Sequence, residues 1–340
     1  MGAKIFNFEW QDDFAAARNF SLAQATGNWI LVVDADEIIS SSDYTTLQQL
    51  TANPAPEPKA YQLLTRNYIN LNNIVGWRAN DGSYPNEEQG CGWMPSLKTR
   101  LWSNHAKIHF SYPVHELVEP SLKEIGITAQ LCPIIIHHYG KLDNLKAQAK
   151  GEKYFLLGLQ KLDEIQDAMV PLRELAVQAG VLEQHQDAIN LWQRFLGIAP
   201  DNAEAHLNLG TAFFATGEIE QALTAAKKSS RLNPKLKESY FNCSLYEIHL
   251  GRPKPAAKRL QKLLQQIPEY SAARFLHAAA ICCRDGVKKG RRAFSKLEDV
   301  ILTAEVLEIA GEELAISLEQ AGRLKDAVNV KKATSGCDFP

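Results

Sequence analysis

Two carboxylates, Asp34 and Asp36, follow directly on the apolar run Trp29-Ile30-Leu31-Val32-Val33. Such a run reads as a buried, central parallel strand over 29–33. Its C-terminal end is where open α/β sheets bind ligands. In extended chain, residues i and i+2 point to the same side. Two carboxylates held together there repel each other unless a cation lies between them. Oxygen ligands suit Mg²⁺ or Mn²⁺, ions that commonly bridge to a substrate diphosphate. The plainer alternative is a solvated acidic turn after a strand.

The elements around this pair must hold it in place. Residues 10–26 read as a helix, with Asp12 or Asp13 as N-cap and Gly27 as its stop. A second helix begins near Ser42 or Asp43, and PAPEP (54–58) is a linker. Residues 60–70, 97–103 and 133–138 read as strands. Residues 72–96, rich in Gly, Asn and aromatics, read as a loop over a site. The order helix–strand–helix–strand–loop–strands is that of an α/β domain. Residues 141–168 read as helical and join the two halves.

The second half has a different grammar. Pro200, Pro234 and Pro268 are spaced by 34 residues, as are Ala188, Ala222 and Ala256, and the small residues Ala176, Gly210 and Ser244. Each unit is two antiparallel helices. Small residues sit where the helices approach most closely, and a proline closes the second helix. Gly217 and Gly251 fall at the turns inside the units. The period resembles the tetratricopeptide repeat and implies units at 169–202, 203–236 and 237–270. Degenerate helical pairs follow to about 332, ending in AGRLKDAVNV (321–330), and residues 333–340 form a tail. Stacked repeats of this kind mostly bind other proteins.

The segment FEWQDDFAAARNFSLAQATGNWILVVDADE (8–37) resembles the inverting family 2 glycosyltransferases of the GT-A fold. It is similar in particular to a bacterial branch in which repeats follow the transferase domain. LKTRLWSNHAKIHFSYPVHELVEP, with Arg100, Phe110, Val114, His115 and Glu116, resembles the next block of that branch, and IIIHHYG (134–140) its closing strand. The resemblance implies an incomplete, Rossmann-like nucleotide-diphospho-sugar transferase domain over 1–145. It also implies a helical connector over 146–168 and an all-α tetratricopeptide-repeat solenoid over 169–332. Met1 falls within the third element of such a domain, so a domain lacking its first strands, with an open sheet edge, is expected.

The same resemblance implies inverting transfer of a sugar from a nucleotide sugar, a UDP-sugar foremost, to a protein or glycan acceptor. Asp34, Asp36 and His138 are the expected ligands of Mn²⁺ or Mg²⁺, and Arg18, Asn19 and Asp34 the expected donor contacts. Arg18 has a structural alternative, a salt bridge to Asp12, Asp13 or Asp34. Glu116 is the expected base, with His115 as runner-up and Glu37 behind both, against a structural pairing of His115 with Glu116. His137 and His138 are adjacent strand residues, so only one of them faces the pocket. His138 is favoured, with a satisfied core histidine as the alternative. Trp77, Trp93 and Trp102 suit sugar stacking or, more simply, the core.

Composition narrows the classes. With 45% hydrophobic and 22% charged residues and a net charge of −2, the chain is neither disordered nor a polyelectrolyte binder, so nucleic acid is not an expected partner. The six cysteines show no CxxC spacing and read as reduced thiols. No apolar run reaches the roughly 18 residues of a membrane span. A cytoplasmic location is expected. Between Arg252 and Lys296 twelve basic residues stand against only Glu269 and Asp285. That stretch reads as a solvated helix face or, alternatively, a surface for an acidic partner. The competing function is a non-catalytic repeat scaffold carrying a degenerate transferase domain. A metal-dependent phosphoesterase is weaker, since no second carboxylate–histidine cluster, P-loop or GxGxxG accompanies the acidic pair.

Overall fold

Asp13 starts the first helix. Its backbone is extended and its carboxylate accepts the Ala16 N–H at 2.8 Å, which caps α1 (Phe14–Ala23). The computed structural model describes residues 4–55, 57–70, 77–140, 142, 144–162, 169–297 and 304–335. After α1 come β1 (Trp29–Leu31), β2 (Glu37–Ile39), a 3-10 turn at Ser41–Asp43 and α2 (Tyr44–Thr51). Then follow β3 (Ala60–Ile69), β4 (Arg78–Ala79), β5 (Gly92–Ser103), α3 (Glu119–Glu124), β6 (Gln130–His138) and α4 (Asn144–Leu162).

These strands form one mixed sheet in the order β1-β5-β3-β6-β2, with β4 on β5. Among the described residues, only the β3–β6 pairing is parallel. The expected central parallel strand over 29–33 is therefore corrected. β1 covers only Trp29–Leu31, stands at one end of the order and runs antiparallel to β5. The Val32 N–H still reaches Arg100 O at 2.9 Å, after which the chain leaves the ladder. Leu31 and Val33 are 36% and 39% exposed, so the apolar run signalled a strand without revealing which of its faces is covered.

Apolar clusters cover the sheet on two sides. Ile30, Ala60, Trp102, Ile108, Phe110, Val118 and Leu122 pack with Ala15 of α1. Leu63, Leu101, Cys132, Ile134 and Ile136 pack against Leu47 and Leu50 of α2. Each Val, Leu, Ile or Phe side chain so buried contributes about 1.5–3 kcal/mol relative to exposure. Trp93 and Trp102 are buried at 3% and 1%, which places both in the core rather than on a sugar.

The chain divides into Met1–Pro171 and Leu172–Pro340, close to the expected start of the repeats, with α4 in the first unit. The expected loop and connector fall partly outside the described residues, at 71–76 and 163–168, as does the tail from 336.

The described residues of the second half are mainly helical. After α5 (Met169–Val181) and α6 (His185–Ile198), α7 (Ala203–Ala215) packs on α8 (Ile219–Leu232), and α9 (Lys237–His249) on α10 (Pro253–Gln266). Beyond them lie α11 (Ser271–Asp285), α12 (Val287–Phe294), α13 (Ala304–Gln320) and α14 (Leu324–Thr334). Ala188, Ala222 and Ala256 are at most 1% exposed. A Cβ on Gly210 would lie 3.1 Å from Ala222 O, the close approach that the small-residue column provides. Gly217 and Gly251 turn the chain with φ of +83° and +69°. The same turn of the first repeat is made by Glu183 at φ +58°.

Candidate functional site

α1 and the loop before α3 are tied together by backbone. Phe14 N–H donates to Pro113 O at 2.8 Å, and Ser111 and Leu117 exchange two hydrogen bonds that close the loop between them. Tyr112 and His115 sit in that loop at φ +74° and +57°. The left-handed region is unfavourable for residues with a Cβ and is a form of strain common at functional sites. Asn19 fixes the base of the loop. Its amide donates to Phe110 O at 2.9 Å and accepts the Phe110 N–H at 2.8 Å. Both polar atoms of Asn19 thus bond the backbone of Phe110.

The loop presents Glu116 to Arg18. The Arg18 guanidinium donates to Glu116 Oε1 at 2.5 Å and to Asp34 Oδ1 at 2.8 Å. Arg100 donates to Asp34 Oδ2 at 3.2 Å and Glu37 Oε1 at 2.7 Å. Glu37 Oε2 in turn accepts the Asp34 N–H at 2.9 Å. Burial opposes ionisation of Asp34, but its hydrogen bonds and charge contact with Arg18, then Arg100, outweigh that and hold its carboxyl below the usual range. Burial likewise disfavours the charge on Arg18, and Asp34 and Glu116 more than offset it.

Asp34 and Asp36 do not point to the same side. The chain turns at Ala35-Asp36, with Glu37 N–H donating to Asp34 O at 3.0 Å. The strand rule of alternate facing therefore fails at the residues where it was applied. Asp34 goes to two arginines, which is the salt-bridge alternative for Arg18. Asp36 goes to His138.

His138 is placed by parallel pairing. β3 and β6 bring Asn67 opposite His138. The Asn67 amide nitrogen donates to Met94 O at 2.9 Å and Ser96 Oγ at 3.0 Å, so its oxygen faces His138 Nδ1 at 2.8 Å. Nδ1 therefore carries the proton and Nε2 presents a lone pair. That lone pair lies 3.4 Å from Asp36 Oδ2. Burial lowers the His138 pKa and Lys98 adds to the effect; the charges of Asp36 and Glu37 oppose it without reversing it. The imidazole is thus neutral at pH 7, and two acceptors face each other. Gly140 leaves the room for them: a Cβ there would lie 2.4 Å from Asp36 Oδ2 and 2.7 Å from His138 Nε2.

This arrangement fits a divalent cation in part. Two protein ligands at a bite of 3.4 Å suit an ion that completes its shell with phosphate oxygens and water. The expected set of Asp34, Asp36 and His138 does not come together, because Asp34 is engaged by Arg18 and Arg100. Among the described residues, no three His, Cys, Asp or Glu side chains gather around one point as a metal site.

His137 faces the other way and is fully buried, its Nδ1 against Tyr68 Oη at 2.8 Å. Arg66, beside it, is held by Asp81 and Glu88 under the rings of Tyr84 and Trp93. Glu37, the weakest of the expected bases, is buried as the partner of Arg100 and supports Asp34. Asn67, Gly140 and Lys98 escaped the sequence reading. Asn67 becomes a neighbour of His138 only through the parallel ladder, and a lone glycine after a strand reads as a turn.

Comparison with known proteins bears on both halves. Residues 1–83 match the model of glycosyl transferase family 2, a stretch that holds Arg18, Asn19, Asp34, Asp36 and Glu37 and stops short of Glu116 and His138. Residues 181–240 match the tetratricopeptide repeat model. Tetratricopeptide repeats are thus present at 181–240. A TPR repeat-containing protein of Synechococcus elongatus is 29% identical over 278 residues, 78% of this chain and 55% of the relative. The chain thus spans about half the length of the curated relative it matches. Solved structures include MamA, at 19% identity over 47% of this chain and 91% of that one, with a TM-score of 0.36. A tetratricopeptide repeat protein from Parabacteroides merdae is 15% identical over 56% of this chain and 80% of that one, with a TM-score of 0.42. No helix among the described residues is long and apolar enough to cross a membrane.

Proposed function

We propose that the first unit is a glycosyltransferase-type domain that binds the diphosphate of a nucleotide sugar at Asp36 and His138, and that the repeats hold a protein partner or acceptor. The observation that carries this reading is the facing of two acceptors, His138 Nε2 and Asp36 Oδ2, over a glycine that keeps the space between them open. A bound Mg²⁺ or Mn²⁺ there supplies charge neutralisation for a departing diphosphate. Asn67 holds the His138 tautomer that leaves Nε2 free, as an outer partner does for a metal-binding histidine.

Glu116 is the base in this account. An acceptor hydroxyl gives its proton to the Glu116 carboxylate as its oxygen bonds to the anomeric carbon, and the bond from that carbon to the diphosphate breaks. Arg18 joins the carboxylate to Asp34. His115, left-handed and adjacent, orients Glu116 through the loop and remains the runner-up base. A UDP-sugar is the donor proposed. The test is donor turnover with Mn²⁺: Asp36→Ala abolishes it and Glu116→Gln lowers kcat while sparing UDP affinity. Turnover unchanged in Asp36→Ala contradicts the assignment.

A second reading has an observation of its own. Arg18 already engages both Asp34 and Glu116, so the base and one donor contact are neutralised internally. That suits a domain retained for shape, with the repeats as the working part. Capture of a partner by the full chain, without nucleotide binding in any metal, favours it.

A further inference from the structure

A groove of about 590 Å³ runs between α10 and α11. α10 contributes Lys254, Pro255, Ala257, Lys258 and Gln261 to it, and α11 contributes His277, Ile281 and Arg284. The floor is apolar, with Ala257 2% exposed and Ile281 half-buried. The walls are cationic. Lys254 and Lys258 are exposed and make no ion pair among the described residues. Arg284 is shared with Asp285, which also draws in Lys289. No carboxylate lines the groove. The first turn of α10 holds no acidic residue and its N-cap, Arg252, offers no acceptor; its guanidinium reaches Glu220 instead. The surrounding stretch, 252–296, keeps only Glu269 and Asp285 against twelve basic residues.

We propose that this groove binds an extended acidic peptide segment of a partner protein, with alternate carboxylates on Lys254 and Lys258 and its chain over Ala257 and Ile281. Spacing supports a peptide. Lys254 and Lys258 are one turn apart, about 6 Å along the helix, and alternate side chains on one face of an extended chain are about 6.6 Å apart. The lining residues include no Phe, Tyr or Trp, the large rings on which a single-stranded nucleic acid stacks best. The inference rests on the reading of the repeats as a partner-binding unit and names the chemistry of that partner. It is independent of sugar transfer.

The test is fluorescence anisotropy on the full chain with a labelled peptide carrying glutamate at alternate positions, against the same peptide with glutamine. The glutamate peptide binds at least tenfold more tightly, and binding weakens as salt rises. Lys254→Glu with Lys258→Glu removes that preference. Lys235→Glu with Lys262→Glu, an equal charge change on exposed lysines outside the groove, leaves it in place. Equal affinity for the two peptides, an equal loss in both double variants, or tighter binding of a single-stranded oligonucleotide of equal charge overturns the proposal. If the groove double variant still captures a cellular partner as well as the parent chain does, the acidic-peptide proposal fails while the partner-binding reading survives.

Discussion

Asp36 and His138 lie 102 positions apart in the chain, and Asp36 Oδ2 and His138 Nε2 face each other at 3.4 Å. Asn67 takes the only proton of the neutral imidazole on the far side of the ring. Gly140 keeps the near side open. In the reading proposed above, a cation stands between them.

Gly140 is the residue that makes this geometry possible, so Gly140→Ala separates folding from binding. The new methyl group displaces the Asp36 carboxylate or the His138 ring. Mn²⁺-dependent UDP affinity falls at least tenfold in calorimetry, while circular dichroism is unchanged. Full affinity in the variant contradicts the role given to the pair.

Acid weakens the first unit through its buried histidines. His138 has a folded pKa below its unfolded value, so the unfolded chain takes up a proton first. The stability contributed is complete above the unfolded value of about 6.5 and is lost as pH falls through the lower folded value. His137 is lowered by burial and acts in the same direction. Asp34 adds nothing in this window, because its contribution is lost only below the ordinary carboxylate range. The melting temperature of the first unit therefore drops as pH falls below about 6.5, and His138→Gln flattens part of that slope. A slope unaltered in this variant excludes His138 as a source.

Asn19→Ala tests whether Asn19 is structural. Removing its amide leaves the N–H and C=O of the buried Phe110 without their partners. The expected loss in urea unfolding is about 1–3 kcal/mol. UDP affinity, measured well below the unfolding midpoint, changes little.

Glu183→Gly tests the repeat geometry. Glu183 holds the left-handed turn that Gly217 and Gly251 hold in the next two repeats. A side chain there is disfavoured, and its removal relieves about 1 kcal/mol. The variant unfolds at higher denaturant concentration than the parent chain; a lower midpoint contradicts the assignment of strain.

The repeats were legible in the sequence because their signals are local and recur. Pro200, Pro234 and Pro268 mark helix ends, and the alanine column marks the helix contacts, whatever the rest of the chain does. Glu183 shows the limit, since only the period identifies it as a turn residue. The first unit was legible in its element types and less so in its arrangement. The run 29–33 announced a strand, but not that β1 would end the sheet and pair antiparallel. The two-residue β4 and three-residue β2 have too little pattern to be read. At the site, facing was predicted for Asp34 and Asp36 from strand geometry, and a turn at Ala35 sent them to different partners. Arg100 and Asn67 owe their places to ladders formed across long stretches of chain, which no spacing rule records. Alternation said only that one of His137 and His138 faces the pocket, and His138 was favoured for its place beside Tyr139-Gly140; the structure sets His138 against Asn67 and Asp36, and His137 against Tyr68.

The most direct test is isothermal titration of the chain with UDP, with and without Mn²⁺, alongside His138→Ala. The account predicts micromolar binding that requires Mn²⁺ and is lost in the variant. Absence of UDP binding in the presence of Mn²⁺, or binding indifferent to the metal and to His138, would contradict it.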